Sequence, residues 1–411
     1  MTQSAEALLF QAALGIQEPW MIKEIRLIEA NHELHITLDF VKGAAFPCPE
    51  CAQACKAYDT KERTWRHLNF FQFKTYLHAR LPRIQCSEHG VKSITAPWAR
   101  TGSGFTLLFE ALALLLMKET TVKGASRILA ENDTRLWRLL KYYVNQGVEY
   151  IDCSEVKKMA VDETSSKRGH IYVSLFVDLA SRKVLHATPG KDAATFGSFE
   201  QFLRKHKGNP FCIQEIVMDM SPAFIKGAKT HFPGAHLTFD KFHLQKIVNE
   251  GVDKVRKAES IHRDDLKGSR YVWLKRKQDL KTKETAQLES LMQDPFCETA
   301  QAYQMKLVFE ELWKVPPAFA EVHLYEWVSW VKRSTLEPMK QVAATIERHW
   351  RGIIRWFESQ INNGILEGIN SLIQAAKRKA RGYRTIENLI AMIYLIVGKI
   401  DLQHILGRLP T

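Results

Sequence analysis

The sequence predicts a multidomain protein of mixed α+β and α/β class. It should hold a small Cys/His-rich N-terminal module, a pair of short helices, and a mixed β-sheet interrupted by an all-helical insertion. Three observations predict this. Two ligand-type pairs, CPEC at 48–51 and CSEH at 86–89, bracket a stretch rich in aromatic and basic residues. From about residue 156 the apolar pattern changes from helical spacing to short strand-like runs separated by tight turns. Between 241 and about 355 strand signals vanish, and Lys-, Glu- and Trp-rich helical spacing takes over.

A chain of 411 residues, 45% hydrophobic and 25% charged, is long enough for more than one core. Its longest apolar run, FTLLFEALALLLM (105–117), is interrupted by Glu110 and is shorter than the roughly 20 residues that span a bilayer. The first residues, MTQSAEALLFQAALGIQEPW, lack the positive region and apolar core of a secretory signal. A cytoplasmic protein is the expectation. Seven cysteines, an odd number, then point to thiols or metal ligands rather than a disulfide framework. A net charge of +13 attracts polyanions through counterion release, so nucleic acid is the expected partner, with general solubility charge as the competing reading.

Residues 1–98 form the first expected module, entered through two strand-like runs, IRLIEA (25–30) and LHITLDFV (34–41). Cys48, Cys51, Cys86 and His89 supply three thiolates and one imidazole. That set suits a closed tetrahedral zinc site with no position left for catalysis, so the role is structural. Cys55 and His67 are second-choice ligands, and a redox pair is the competing reading. Between the pairs, RTWRHLNFFQFKTYLHARLPR alternates basic and aromatic residues. Arg66, Arg80 and Arg83 suit phosphate contacts there, with the rings free to stack on bases. A small hydrophobic core with a solvated face has the same composition.

Residues 99–150 are expected to carry a helix-turn-helix. Val122, Ala125, Ile128 and Leu129 share one helix face. After END, Thr134 can cap a second helix bearing Leu136, Leu139, Leu140 and Tyr143. Arg135, Arg138 and Lys141 are then available to a groove or to phosphates. Any αα-hairpin reads the same way from sequence alone.

Over 151–240, KKMAVDETS, HIYVSLFVDL and RKVLHATPG form a meander of three strands. A helix follows at 193–206, then the strand IQEIVMD (213–219), a helix opened by Ser221 and Pro222, and the strand AHLTFD (235–240). Strands joined through helices pair in parallel. Three antiparallel strands plus two parallel ones, flanked by helices, make the ribonuclease H-like plan. The helical insertion spans 241–355, and closing helices occupy 356–411. Trp273, Trp313, Trp327 and Trp330 in the insertion suit either a core or stacking on an unpaired base.

Asp162 ends the apolar run MAVD and Asp219 ends IVMD. Sites form at the carboxyl ends of neighbouring parallel strands, where connections diverge. Either aspartate alone could simply cap the next segment. In NNGILEGINSLIQAAKRKARGYR (361–383), a helix would carry Ile365, Leu366, Ile369, Leu372, Ile373 and Ala376 on its apolar face. Glu367, Asn370, Ser371, Gln374, Arg378 and Arg381 follow the other side. Glu367 can face Asp162 and Asp219, or be a surface acid favoured by the helix dipole. Lys377, Arg378, Lys379 and Arg381 would line a DNA path. Three carboxylates suit two Mg²⁺ (or Mn²⁺) ions, which can activate an attacking hydroxyl and stabilise a leaving oxygen.

These motifs, together with VMDMSPAFIKGA and FDKFHLQKIVNEGVDKVRK, resemble the bacterial ISL3 family of insertion-sequence transposases, in the family's order from about residue 45 to 400. The resemblance implies a DDE triad at Asp162, Asp219 and Glu367, with the helical insertion between the second and third acids. DKFH resembles a D-x-x-H signature, which implies that Asp240 and His243 assist near the scissile phosphate. The implied activity is hydrolysis at the ends of an element and joining of the freed 3'-hydroxyl to target DNA, by at least a dimer acting in the bacterial cytoplasm at the nucleoid. The competing readings are a non-catalytic DNA-binding regulator and a nuclease that cuts without joining.

Overall fold

The computed structural model describes residues 4–167, 171–275, 277–361 and 364–400. They form two compact units, one within Met1–Gly147 and one over Val148–Ile400.

The first unit opens with α1 (Ala5–Ala13) and the strands β1 (Trp20–Ile28), β2 (Glu33–Phe40), β3 (Ala45–Pro47), β4 (Ala54–Arg66), β5 (Lys74–Cys86) and β6 (Gly90–Ser93). They lie in the order β1-β2-β5-β4-β3, with β6 on β5. Only β2 and β5 run parallel among these pairs. Alternation explains the packing: Leu34, Ile36 and Leu38 of β2 are buried while their neighbours are half-buried, so one face joins Trp20, Trp65 and Leu77 in the core. The long β4–β5 hairpin carries Cys86 back to the turn that holds Cys48 and Cys51.

Three helices follow: α2 (Leu107–Glu119), α3 (Val122–Leu129) and α4 (Asp133–Glu149). Thr121 caps α3 by accepting from the Gly124 N–H at 2.9 Å. Ala130, in the left-handed region at φ 49°, ends it. Two expectations need correction. The cap of α4 is Asn132, whose Oδ1 accepts from the Thr134 N–H at 2.8 Å, so Thr134 lies inside the helix. Ile128 is 59% exposed; Val122, Ala125 and Leu129 alone form the buried face of α3.

The second unit is built on β7 (Lys158–Lys167), β8 (Ile171–Asp178), β9 (Lys183–Pro189), α5 (Ala194–Lys205), β10 (Glu215–Met218), α6 (Pro222–His231) and β11 (His236–Phe239). Sheet order is β11-β10-β7-β8-β9: β7, β8 and β9 are antiparallel neighbours, while β10 is parallel to both β7 and β11. Met159 and Val161 of β7 and Ile216 and Met218 of β10 enter one core with Phe196 and Phe199 of α5 and Phe224 of α6. By alternation, Asp162 and Thr164 of β7 point to the opposite face.

The insertion contains α7 (Lys241–Glu259), α8 (Arg270–Leu274), α9 (Thr282–Met292), α10 (Glu298–Glu311), α11 (Pro317–Arg333) and α12 (Glu337–Arg348). Then come α13 (Trp350–Ser359), α14 (Gly364–Ala380) and α15 (Ile386–Val397). The stacking role offered for the tryptophans is corrected for two of them. Trp273 and Trp327 are fully buried, their indole N–H groups donating to Ser269 Oγ at 3.0 Å and the Met305 carbonyl at 2.7 Å. Trp313 and Trp330 are partly buried against the same core. Gly352 lets α13 approach β11, since a Cβ there would meet the Phe239 ring at 2.4 Å. Among the described residues, no helix is long and apolar enough to cross a membrane.

Candidate active site and metal centre

Cys48 and Cys51 lie in the turn after β3, Cys86 at the end of β5, and His89 in the turn to β6. One ligand atom from each lies within 4.8 Å of all the others, the only such group of three or more among the described residues. Cys51 Sγ is 3.6 Å from Cys86 Sγ, and His89 Nδ1 is 3.9 Å from Cys48 Sγ and 3.7 Å from Cys86 Sγ. A tetrahedron with metal–sulfur bonds of about 2.3 Å has edges of about 3.8 Å, so the cluster has the size zinc requires. Backbone N–H groups of Glu88 and His89, then the His89 ring, hold the Cys86 thiol below its ordinary range, which favours the thiolate a metal needs. Glu50 approaches the far ring nitrogen of His89 at 3.4 Å, the outer carboxylate that orients a ligating imidazole. The second-choice ligands point elsewhere. Cys55 Sγ donates to the Gln53 carbonyl at 3.4 Å, and His67 Nδ1 pairs with Thr106 Oγ1 at 2.8 Å.

The basic residues divide by surroundings. Arg66 is a correction: it is 3% exposed, with its guanidinium donating to the His67 and Thr75 carbonyls and to Asn69 Oδ1, so it braces the hairpin and offers nothing to phosphate. Arg80 donates to Asp39 at 2.7 Å, and Arg83 grips Asp59 through two nitrogens, both on the surface. Arg135 pairs with Glu131 at 2.9 Å and lies over the Phe105 ring at 4.2 Å. Arg138 is exposed and Lys141 half-buried on α4. Beneath them the fully buried Glu110 of α2 accepts from Tyr143 Oη of α4 at 2.5 Å, Ser103 Oγ at 2.6 Å and Arg100 at 2.9 Å. This hub ties the two helices together.

In the second unit three aspartates occupy one level of three neighbouring strands. Asp219 follows the last residue of β10 and Asp240 the last residue of β11, with Met218 paired to Phe239. Asp162 needs correction: it lies inside β7, not at its end. β8 continues to pair beyond it, while the ladder to β10 reaches only Ala160. The crevice therefore opens because β10 stops. Asp240 caps α7, accepting from the Phe242 N–H at 2.9 Å, and its other oxygen accepts from His243 Nδ1 at 2.8 Å. That bond raises the His243 pKa, with the charges of Asp162 and Asp219 adding to it. The Asp162 carboxyl is pushed up to about 6, first by burial and further by the charges of Asp219 and Asp240, against the Glu163 N–H and His243, which pull it down. Glu163, to which sequence reasoning gave no role, is raised by burial and then by Asp219.

On α14 the predicted apolar face holds in part. Leu366, Ile369 and Ile373 are buried, whereas Leu372 is 53% exposed. The polar side that meets β7 is Asn370, Gln374 and Lys377. Asn370 Nδ2 donates to Asp162 Oδ2 at 2.6 Å, Gln374 Nε2 to Thr164 Oγ1 at 2.9 Å, and Lys377 Nζ to Ser165. Glu367 stands one turn before Asn370 and is exposed; with Asp162 and Asp219 it does not form a ligand group of the compactness seen at the cysteines. Arg378 and Lys379 are exposed, and Arg381, at φ 55°, turns the chain out of the helix. Sequence reasoning assigned Asn370 no function; its place three residues after Glu367 in EGIN was the available signal.

The Cys/His cluster, the helix pair and the acid-lined mixed sheet each fall within a stretch that matches a known family. Residues 44–89 match the family described as the zinc-finger of transposase IS204/IS1001/IS1096/IS1165, and 94–144 the helix-turn-helix domain of transposase family ISL3. Residues 159–393 match the ISL3 DDE transposase family, and the chain belongs to it. Relatives include the transposase for insertion sequence element IS1557 of Mycobacterium tuberculosis, 26% identical over 95% of each chain. The transposase for IS1001 of Bordetella parapertussis is 26% identical over 82% of this chain and 85% of its own.

Proposed function

We propose that the protein is a DDE transposase that binds the terminal inverted repeats of an insertion sequence, cuts the DNA strand by metal-assisted hydrolysis and joins the freed 3'-OH to target DNA. The observation that carries this reading is the placement of Asp162, Asp219 and Asp240 at one level of adjacent strands, with His243 paired to Asp240. The five-strand order, with one strand reversed inside it, supports a ribonuclease H-like catalytic core. The reading divides the chain into recognition modules at 1–98 and 99–150, a catalytic sheet at 151–240, the insertion at 241–355 and closing helices at 356–411.

The donor set suits Mg²⁺ or Mn²⁺. Carboxylate oxygens are the ligands hard cations take, and the unfavourable ionisation of Asp162, caused first by burial and then by two neighbouring acids, is what a divalent ion relieves. Asp162 and Asp219 would hold it, and Glu367, exposed one turn from Asn370, would complete the set on bound DNA. When bound, two such ions would supply polarisation of the attacking oxygen and charge neutralisation at the leaving oxygen. His243, with Nδ1 committed to Asp240, keeps Nε2 for proton exchange at the departing 3' oxygen. Arg138, Lys141, Arg378 and Arg381 hold backbone phosphates, as do Arg80, Arg83, Arg135, Lys377 and Lys379 where DNA displaces their present partners. Two element ends must be held together, so at least two copies act on DNA.

Labelled terminal-repeat DNA incubated with the protein and Mg²⁺ or Mn²⁺ tests this. Nicked and joined products are expected. Asp162→Ala, Asp219→Ala and Glu367→Ala are each expected to abolish both while sparing end binding. Cleavage retained by any of them removes that residue from the triad, and binding without cleavage by the wild type would favour a regulator.

A further inference from the structure

We propose that Asn370 is a positioning residue that orients the Asp162 carboxylate for its divalent cation. This rests on the reading of Asp162 as a cation-holding acid. Helix α14 docks along β7 through side chains at 370, 374 and 377, spaced to lie on one helix face, against Asp162, Thr164 and Ser165. That ladder sets the rotation of the helix, and Leu366, Ile369 and Ile373 pack beside it. The Asn370 amide is thereby aimed at the acid rather than at solvent.

Two donors fix the carboxylate. The Glu163 backbone N–H donates to Oδ1 at 2.7 Å and Asn370 Nδ2 to Oδ2 at 2.6 Å. Each oxygen keeps a second lone pair, so the carboxylate is held in one plane and can still ligate. A neutral amide suits this role, because a lysine or arginine at 370 would neutralise the charge the cation needs. The other end of the amide is informative too. Asn370 Oδ1 is buried and has no hydrogen-bond partner among the described residues. Buried acceptors are ordinarily paired, and next to a site for hydrated cations and phosphate the donor it awaits is a water or hydroxyl of the loaded complex. Asn370 thus links the acid to whatever the cation carries.

The experiment uses zinc-loaded full-length protein and Mn²⁺ as the probe. Free Mn²⁺ is followed by electron paramagnetic resonance, and strand cleavage by Mn²⁺ titration. Asn370→Ala and Asn370→Ser are expected to weaken Mn²⁺ binding about tenfold, within the range that loss of an outer-shell partner produces. Half-saturating Mn²⁺ for cleavage should rise equally, with the rate largely recovered at saturation. Gln374→Ala removes a neighbouring helix-to-strand bond without touching the acid and is expected to bind Mn²⁺ as the wild type does. Wild-type affinity in both Asn370 variants, alongside lost binding in Asp162→Ala, would overturn the inference and leave the acid site standing. Equal weakening in Gln374→Ala would also overturn it, because docking of the helix would then be the cause. Unchanged binding in Asp162→Ala would instead remove the acid site itself, and this inference with it.

Discussion

Asp162→Asn is expected to end strand cleavage while making the cation-free protein more stable at neutral pH. The magnitude follows from the carboxyl, raised from 3.8 to about 6 by burial and the neighbouring acids. At about 1.36 kcal/mol per pKa unit, this is a penalty of up to about 3 kcal/mol on the folded state once the group is ionised. The sign is that of a raised acid: the penalty is absent below the unfolded value, grows as pH rises from about 4 to 6, and is complete above that. Asparagine keeps the shape and carries no charge: its Oδ1 can accept from the Glu163 N–H, and its Nδ2 can donate to Asn370 Oδ1 once the Asn370 amide turns over. The variant should gain up to about 3 kcal/mol at pH 7.5 and under about 1 kcal/mol at pH 4. For a unit of this size that corresponds to up to about 6–12 °C in Tm at the higher pH. The assay is thermal unfolding of zinc-loaded protein in buffer free of Mg²⁺ and Mn²⁺, at both pH values, repeated with Mg²⁺. Mg²⁺ should stabilise the wild type and leave the variant unmoved. A variant no more stable than wild type at pH 7.5, or equally stabilised at pH 4, would refute the electrostatic account of this site.

Other outcomes follow from the first unit. Stripping zinc with a chelator, or Cys86→Ser, is expected to unfold the ribbon and abolish end binding, followed by circular dichroism and gel shift; an unchanged melt would exclude a structural ion. Glu110→Ala leaves Arg100 and the Tyr143 hydroxyl without their buried partner and should cost about 3–5 kcal/mol, read by denaturant unfolding. Arg138→Ala should weaken binding to all DNA sequences and lower the salt slope by about 1, whereas Arg66→Ala should lower stability without that signature, because its guanidinium is committed inside the hairpin.

Much of the candidate site was legible in the sequence for local reasons. The clustered cysteines and histidine come as pairs with two residues between their members, a spacing that marks each half locally, and the β4–β5 hairpin joins the halves. The aspartates were legible because each follows an apolar run. Less legible was how far each run continues. MAVD reads as a strand end, yet β8 carries β7 on past Asp162, and no pattern in β7 itself records where β10 stops. Arg66 reads as a surface cation in a basic, aromatic stretch, and only the fold reveals the carbonyls of His67 and Thr75 around it.

The sequence by itself determined the modules, their order, the cysteines and histidine that cluster, and the strands that carry the acids, because spacing and periodicity are short-range properties of the chain. Tertiary packing decided which polar residue of α14 meets Asp162. Helical periodicity defines a face about a turn wide, on which Glu367 and Asn370 are neighbours. The choice between them is a rotation of the helix, set by Leu366, Ile369 and Ile373 in the core and by Gln374 and Lys377 on β7, contacts made across some two hundred residues of chain.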